Sequence, residues 1–161
     1  MKTYQITANQ HQEIILKESG KHLIELVGEG ASVMVKGVFQ TSGKEHLVLE
    51  VVIHHQAAHT QAETVMKGVA RDNSSLQLKG KIIIDEDCGD TQSFLTERVL
   101  LLSEQARAEA VPDLEIKTDD VKCSHAASIT TLSEEHLFYL QSRGIEKNKA
   151  EQLIVDGFLT I

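Results

Sequence analysis

The sequence predicts a mainly β protein that ends in an α-helical hairpin, and three observations carry that reading. Apolar and polar residues alternate through most of the chain, and turn-forming clusters recur roughly every eight to twelve residues. From residue 132 the apolar spacing changes to that of helices.

Taken in order, short apolar runs lie at Ile14-Ile15-Leu16, Leu23-Ile24-Glu25-Leu26-Val27 and Val33-Met34-Val35. Clear alternation follows in Leu47–Ile53, Leu76–Ile82 and Leu114–Lys117. Turn residues separate them at Glu18-Ser19-Gly20, Gly28-Glu29-Gly30, Ser42-Gly43-Lys44, Arg71–Ser74 and Asp87–Asp90. Residues 103–110 suit a helix by propensity and a strand by alternation equally well, and no other segment between Gln10 and Ile129 has helical periodicity. With aromatics at 4% and no Trp, the core falls to Val, Ile, Leu and Ala. Beyond that, Ser133 caps a helix whose first turn carries Glu134 and Glu135, and Arg143-Gly144 ends it. A second helix is expected from about Glu146 to Asp156, with Ala150, Leu153 and Ile154 on one face and Gly157 as its stop. The expected division is a β domain over 1–131 and a helical hairpin over 132–161. On pattern alone a jelly-roll and a β-solenoid both satisfy the strands.

Charge and composition remove several function classes. Sixteen Lys plus Arg stand against 24 Asp plus Glu, for a net charge of −8, the wrong sign for binding nucleic acid or an anionic membrane. No stretch approaches the apolar length of a bilayer span, and the first twenty residues lack the apolar core of a signal peptide. Two cysteines are too few for a disulfide framework, so a cytoplasmic chain with reduced thiols is expected. There is no phosphate-binding glycine loop and no recognisable nucleophile or acid–base motif, so no bound nucleotide and no enzyme activity are expected.

The densest chemistry lies in Asp119-Asp120-Val121-Lys122-Cys123-Ser124-His125. On a strand, Asp119, Val121, Cys123 and His125 share one face, so Cys123 and His125 reach outward together. A thiolate and an imidazole two residues apart suit a soft or borderline metal, but they are half of a site, since structural zinc wants four ligands. The alternative is a buried Cys and a hydrogen-bonded strand-end His. A weaker cluster is His54-His55-Gln56-Ala57-Ala58-His59, where His54 and His55 face opposite sides; His55 and His59 are secondary metal candidates beside the reading that they bond to backbone. Cys88 lies in the acidic turn Asp85–Asp90, where carboxylates disfavour its thiolate, and reads as part of a solvated turn.

From Leu100 to Phe158 the chain resembles the SufB/SufD family of iron–sulfur cluster assembly scaffolds. The resemblance rests on Leu100-Leu101-Leu102-Ser103, Pro112-Asp113-Leu114-Glu115-Ile116, Asp119–His125, Leu137-Phe138-Tyr139-Leu140, Ser142-Arg143-Gly144-Ile145 and Gly157-Phe158. A weaker upstream signature comprises His55, His59, Thr60, Lys67-Gly68-Val69 and Gly80-Lys81-Ile82, with Ala58 and Ala62 replacing a usual Pro and Ser. The resemblance implies a short right-handed parallel β-helix (solenoid) with a C-terminal helical hairpin. It also implies a homodimer, or a heterodimer with a SufB/SufD homologue, and docking of the helices onto SufC, an ABC-type ATPase. It places Cys123 and His125 at a nascent-cluster site near the dimer interface, holding iron or an iron–sulfur cluster transiently. Family members are longer, with an N-terminal helical domain, a longer solenoid and more chain after the equivalent of Gly157-Phe158. Where SufB has a cluster-forming Cys this chain has Glu97-Arg98-Val99, so it looks like SufD.

Overall fold

The computed structural model describes residues 1–161 as ten strands followed by two helices. The strands are β1 Lys2–Ile6, β2 His11–Leu16, β3 Gly20–Leu26, β4 Ser32–Thr41 and β5 His46–His55. They continue with β6 Gln61–Ala70, β7 Ser75–Ile84, β8 Thr91–Leu101, β9 Arg107–Ile116 and β10 Val121–Thr131. The helices are α1 Glu134–Ser142 and α2 Lys147–Leu159. Odd strands stack in one sheet in the order β1-β3-β5-β7-β9, even strands in another in the order β10-β8-β6-β4-β2, and every pairing is parallel. Each turn of chain therefore lays one strand on each sheet, which is a parallel β-solenoid. Of the two architectures the strand pattern left open, the solenoid is the one observed.

Alternation in each strand sends every second side chain into the space between the sheets. There Ile6, Leu26, Val35, Leu49, Ile53, Leu78, Ile82, Leu95 and Val99 form one continuous core. The aliphatic core expected from composition is present, but His55, Thr64, Ser93 and Glu97 are also buried in it. Residues 103–110 resolve into a turn followed by β9, so the strand alternative holds.

The turns leading from the odd to the even sheet stack as well. Asn9, Gly30, His59 and Asp90 adopt left-handed backbone angles at successive levels. The Asn9 N–H donates to Glu29 O (3.0 Å), Gly30 N–H to Ala58 O (3.3 Å) and His59 N–H to Gly89 O (2.9 Å). At the last level the side chain of Asp120 takes over, accepting from the Asp90 N–H at 3.2 Å. Gly28 belongs to this column for a steric reason: a Cβ there would lie 2.0 Å from the Ala8 nitrogen.

Ser133 caps α1 as expected, accepting from the His136 N–H at 3.2 Å, and Gly144 follows Arg143 with φ +84°. The second helix differs from expectation. It passes through Gly157 to Leu159, and its buried residues are Ala150 and Val155, while Leu153 is exposed. Tertiary contact overrides the glycine stop. Val155, Phe158 and Leu159 pack with Val69 of β6 and Leu100 of β8. The Lys67 ammonium donates to the carbonyls of Phe158 (2.9 Å) and Thr160 (2.6 Å). No helix is long and apolar enough to cross a membrane.

Candidate functional site

β9 and β10 form the last level of the solenoid, and each pairs on one side only. The register of β10 on β8 places Val121, Cys123, His125, Ala127 and Ile129 above Thr91, Ser93, Leu95, Glu97 and Val99, the inward residues of β8. Cys123 and His125 thus share the inward face of a strand that no further strand covers. Cys123 is half-buried and packs against the core edge, and burial raises its thiol pKa above the ordinary value. His125 is exposed. Two donors point into an open end, and no third His, Cys, Asp or Glu completes a ligand set around them in this arrangement.

The other two candidate histidines lie elsewhere. His55 is fully buried and faces the lumen from β5. Its Nδ1 is 2.8 Å from the Thr60 hydroxyl and its Nε2 is 3.0 Å from the Ser93 hydroxyl, while Thr60 and Thr91 hydroxyls are 3.1 Å apart. Burial, with His54 adding a smaller effect, pushes the His55 pKa down to about 4, so the ring is a neutral hydrogen-bonding post. Both nitrogens are engaged, which leaves no lone pair free for a metal. Through Ser93, which lies in register beneath Cys123, this network supports the floor of the open end. His54 faces outward, as the alternation requires, and bonds Asp85 at 2.8 Å.

His59 stands exposed on the β5–β6 turn. Its Nδ1 is 3.0 Å from Asp90 and its Nε2 is 3.7 Å from Glu29, and the Asp90 hydrogen bond raises its pKa. The structure therefore brings Cys123 and His125 together, sets His55 under them, and leaves His59 on a separate surface. Cys88 departs from the expected solvated turn. Glu86 and Asp87 are exposed, but Cys88 is 2% exposed and its thiol donates to the His55 carbonyl. Burial, followed by Asp85, raises its pKa.

Glu97, which in the sequence stands out only for occupying the position of a SufB cysteine, is the most unusual group near the open end. It is fully buried on the inward face of β8, and neither carboxyl oxygen has a hydrogen-bond partner. Burial pushes its pKa up to about 7. The nearby Gly80 N–H eases the charged form slightly without reaching hydrogen-bond geometry. Gly80 makes the space, since a Cβ there would lie 2.9 Å from Glu97 Oε1 and 2.4 Å from a Leu95 methyl. The signal was present in the inward phase Thr91, Ser93, Leu95, Glu97, Val99, once that phase is known.

Comparison with known proteins extends these observations. A family model described as "SUF system FeS cluster assembly, SufBD core domain" matches residues 9–158. An iron–sulfur cluster assembly SufBD family protein of Pyrococcus horikoshii is 36% identical over 133 residues, covering 83% of this chain and 29% of the relative. The iron–sulfur cluster assembly protein SufD of Bacillus subtilis is 35% identical over 134 residues, covering 83% and 31%. The Escherichia coli protein of the same name is 28% identical over 134 residues, covering 83% and 32%. The chain thus spans about a third of the length of these relatives.

Proposed function

The chain belongs to the SufBD core family of the SUF iron–sulfur cluster assembly system, and on that premise we propose that it is a scaffold or accessory subunit, not an enzyme. Cys123 and His125 hold iron, sulfide or a nascent cluster as cargo. The open end pairs with a second copy or with a SufB/SufD homologue, and the C-terminal helices dock a SufC-like ABC-type ATPase. The cytoplasm, where thiols stay reduced, is its working place.

One observation carries the reading. Cys123 and His125 lie on the inward face of the last level, whose two strands leave their outer edges unpaired. Unpaired edges are templates for another chain, and a two-donor half-site becomes a full site when two such ends meet. The docking role is supported by α1, which buries none of its residues and exposes Phe138 (74%) and Tyr139 (56%). Large apolar side chains exposed together mark an interaction surface.

Anaerobic reconstitution with iron and sulfide tests the cargo site. Wild type is expected to take up more iron than the doubly substituted Cys123→Ala, His125→Ala chain. Equal uptake would remove the site and leave only the adaptor role of α1 and α2.

A further inference from the structure

The turn column that joins the odd to the even sheet is tied level to level by backbone alone, until the last level. Each left-handed residue gives its N–H to a carbonyl one level on: Asn9 to Glu29, Gly30 to Ala58, His59 to Gly89. Register pairs Val121 with Thr91, so Asp119 and Asp120 stand one level above Gly89 and Asp90. There the pattern breaks. The Asp119 carbonyl accepts from the Val121 N–H two residues on (3.1 Å), and Asp120 has no left-handed backbone. The Asp90 N–H, deprived of a carbonyl, is taken by the Asp120 carboxylate at 3.2 Å. The same carboxylate oxygen lies over Gly89, 3.5 Å from where a Cβ would stand. This clamp sits at the start of β10, an edge strand with one neighbour. Only Val121 and Cys123 of β10 pack against the core, and the strand is exposed from Ser124 onward. Segments with few buried contacts open first, and they open from their ends.

We infer that Asp120 is the positioning residue of the open end: by pinning the turn ahead of β10 to Asp90, it sets the height and phase at which Cys123 and His125 face inward. Its functional weight rests on the reading of Cys123 and His125 as the cargo site. Asp120 itself is engaged in the turn column, not in the lumen, and acts through the strand it starts. The residue it grips is anchored in turn. The Asp90 carboxylate is 3.0 Å from His59 Nδ1, and His59 Nε2 is 3.7 Å from Glu29. His59 therefore braces the residue that holds the start of β10. Without the clamp the first residues of β10 are free to fray, and a thiol three residues on changes its exposure before the fold does.

Peptide-resolved alkylation of the full chain with N-ethylmaleimide reads the two thiols separately. Cys88, 2% exposed, reports on the fold as a whole, and half-buried Cys123 reports on the start of β10. Asp120→Ala is expected to speed alkylation of Cys123 by about fivefold, the factor set by one typical hydrogen bond, and to leave Cys88 unchanged. Asp120→Asn keeps an acceptor oxygen in the same place and should bring the Cys123 rate most of the way back to wild type. An unchanged Cys123 rate in Asp120→Ala overturns the inference. Equal acceleration of both thiols also overturns it, since that is global loosening. Asp120→Asn reacting as fast as Asp120→Ala does the same, since the effect then belongs to charge and not to the clamp. Anaerobic iron uptake separates the clamp from the cargo reading: it should fall in Asp120→Ala and recover in Asp120→Asn. Uptake that Asp120→Ala leaves untouched, with wild type above the Cys123→Ala, His125→Ala chain, overturns the positioning role. If wild type takes up no more iron than that doubly substituted chain while the alkylation pattern holds, the cargo reading fails and the clamp on Cys123 stands.

Discussion

At the scale of the residue, the lumen holds two ionisable groups whose burial pulls them in opposite directions. Glu97 has its folded pKa raised from 4.5 to about 7, so its ionisation opposes folding. Its contribution is harmless below pH 4.5, erodes stability as pH rises toward 7, and is complete above that. His55 has its folded pKa lowered from 6.5 to about 4, so its cost appears as pH falls from 6.5 to 4. Between about pH 4.5 and 6.5 the two trends offset each other. Glu97→Gln should therefore be more stable than wild type by about 3 kcal/mol at pH 8, the gap closing as pH drops to 4.5. Urea unfolding at pH 4.5, 6 and 8 measures the gap, and a difference that stays constant with pH would contradict the assignment. The face-sharing of Cys123 and His125 was legible from alternation alone. The burial of Glu97, His55 and Cys88 was not, because a residue's depth depends on which coil stacks above it.

At the scale of the element, Lys67 shows how the solenoid governs the hairpin. Its ammonium meets two carbonyls at the C-terminal end of α2 and lies 5.8 Å from the Phe158 ring. A cation there answers the negative end of the helix dipole and its unpaired carbonyls. Lys67→Ala is expected to cost about 1–2 kcal/mol locally. Amide hydrogen exchange should then speed up in 147–160 while β5–β8 stay protected, and uniform acceleration across the chain would refute a local role. The start and end of α1 were readable because Ser133 and Gly144 act within their own turns. The end of α2 was not, since a packing partner ninety residues away outweighs the weak helix propensity of Gly157. Strands β6 and β8 carried no clear signal for a related reason. Their inward positions include Ala62, Thr64, Gly68, Ser93 and Glu97, which hide the apolar alternation that marks β5 and β7.

At the scale of the whole molecule, both sheets stop at β9 and β10 with backbone groups unpaired. If end-to-end pairing covers them, the paired state gains stability by mass action. The melting temperature is then expected to rise with protein concentration, alongside a dimer mass in solution. A concentration-independent transition with a monomer mass would exclude self-pairing and leave only a different homologue as partner. The solenoid itself was beyond the strand pattern, because each strand's neighbours lie a full coil away and local alternation does not record them.

That spacing has a consequence for how such a protein changes over generations. Beyond the first coil, contacting residues on successive coils are separated by about the same stretch of sequence, from 29 in Lys21–Glu50 to 33 in Thr41–Ser74, while the first coil is shorter, with 20 between Gln5 and Glu25. A duplication or deletion of one such stretch lengthens or shortens the stack by one storey and leaves the remaining contacts in register. Smaller insertions would put inward residues on the wrong face. Ancestry can therefore edit the body of the molecule in whole coils while the chemistry of the last one is inherited intact.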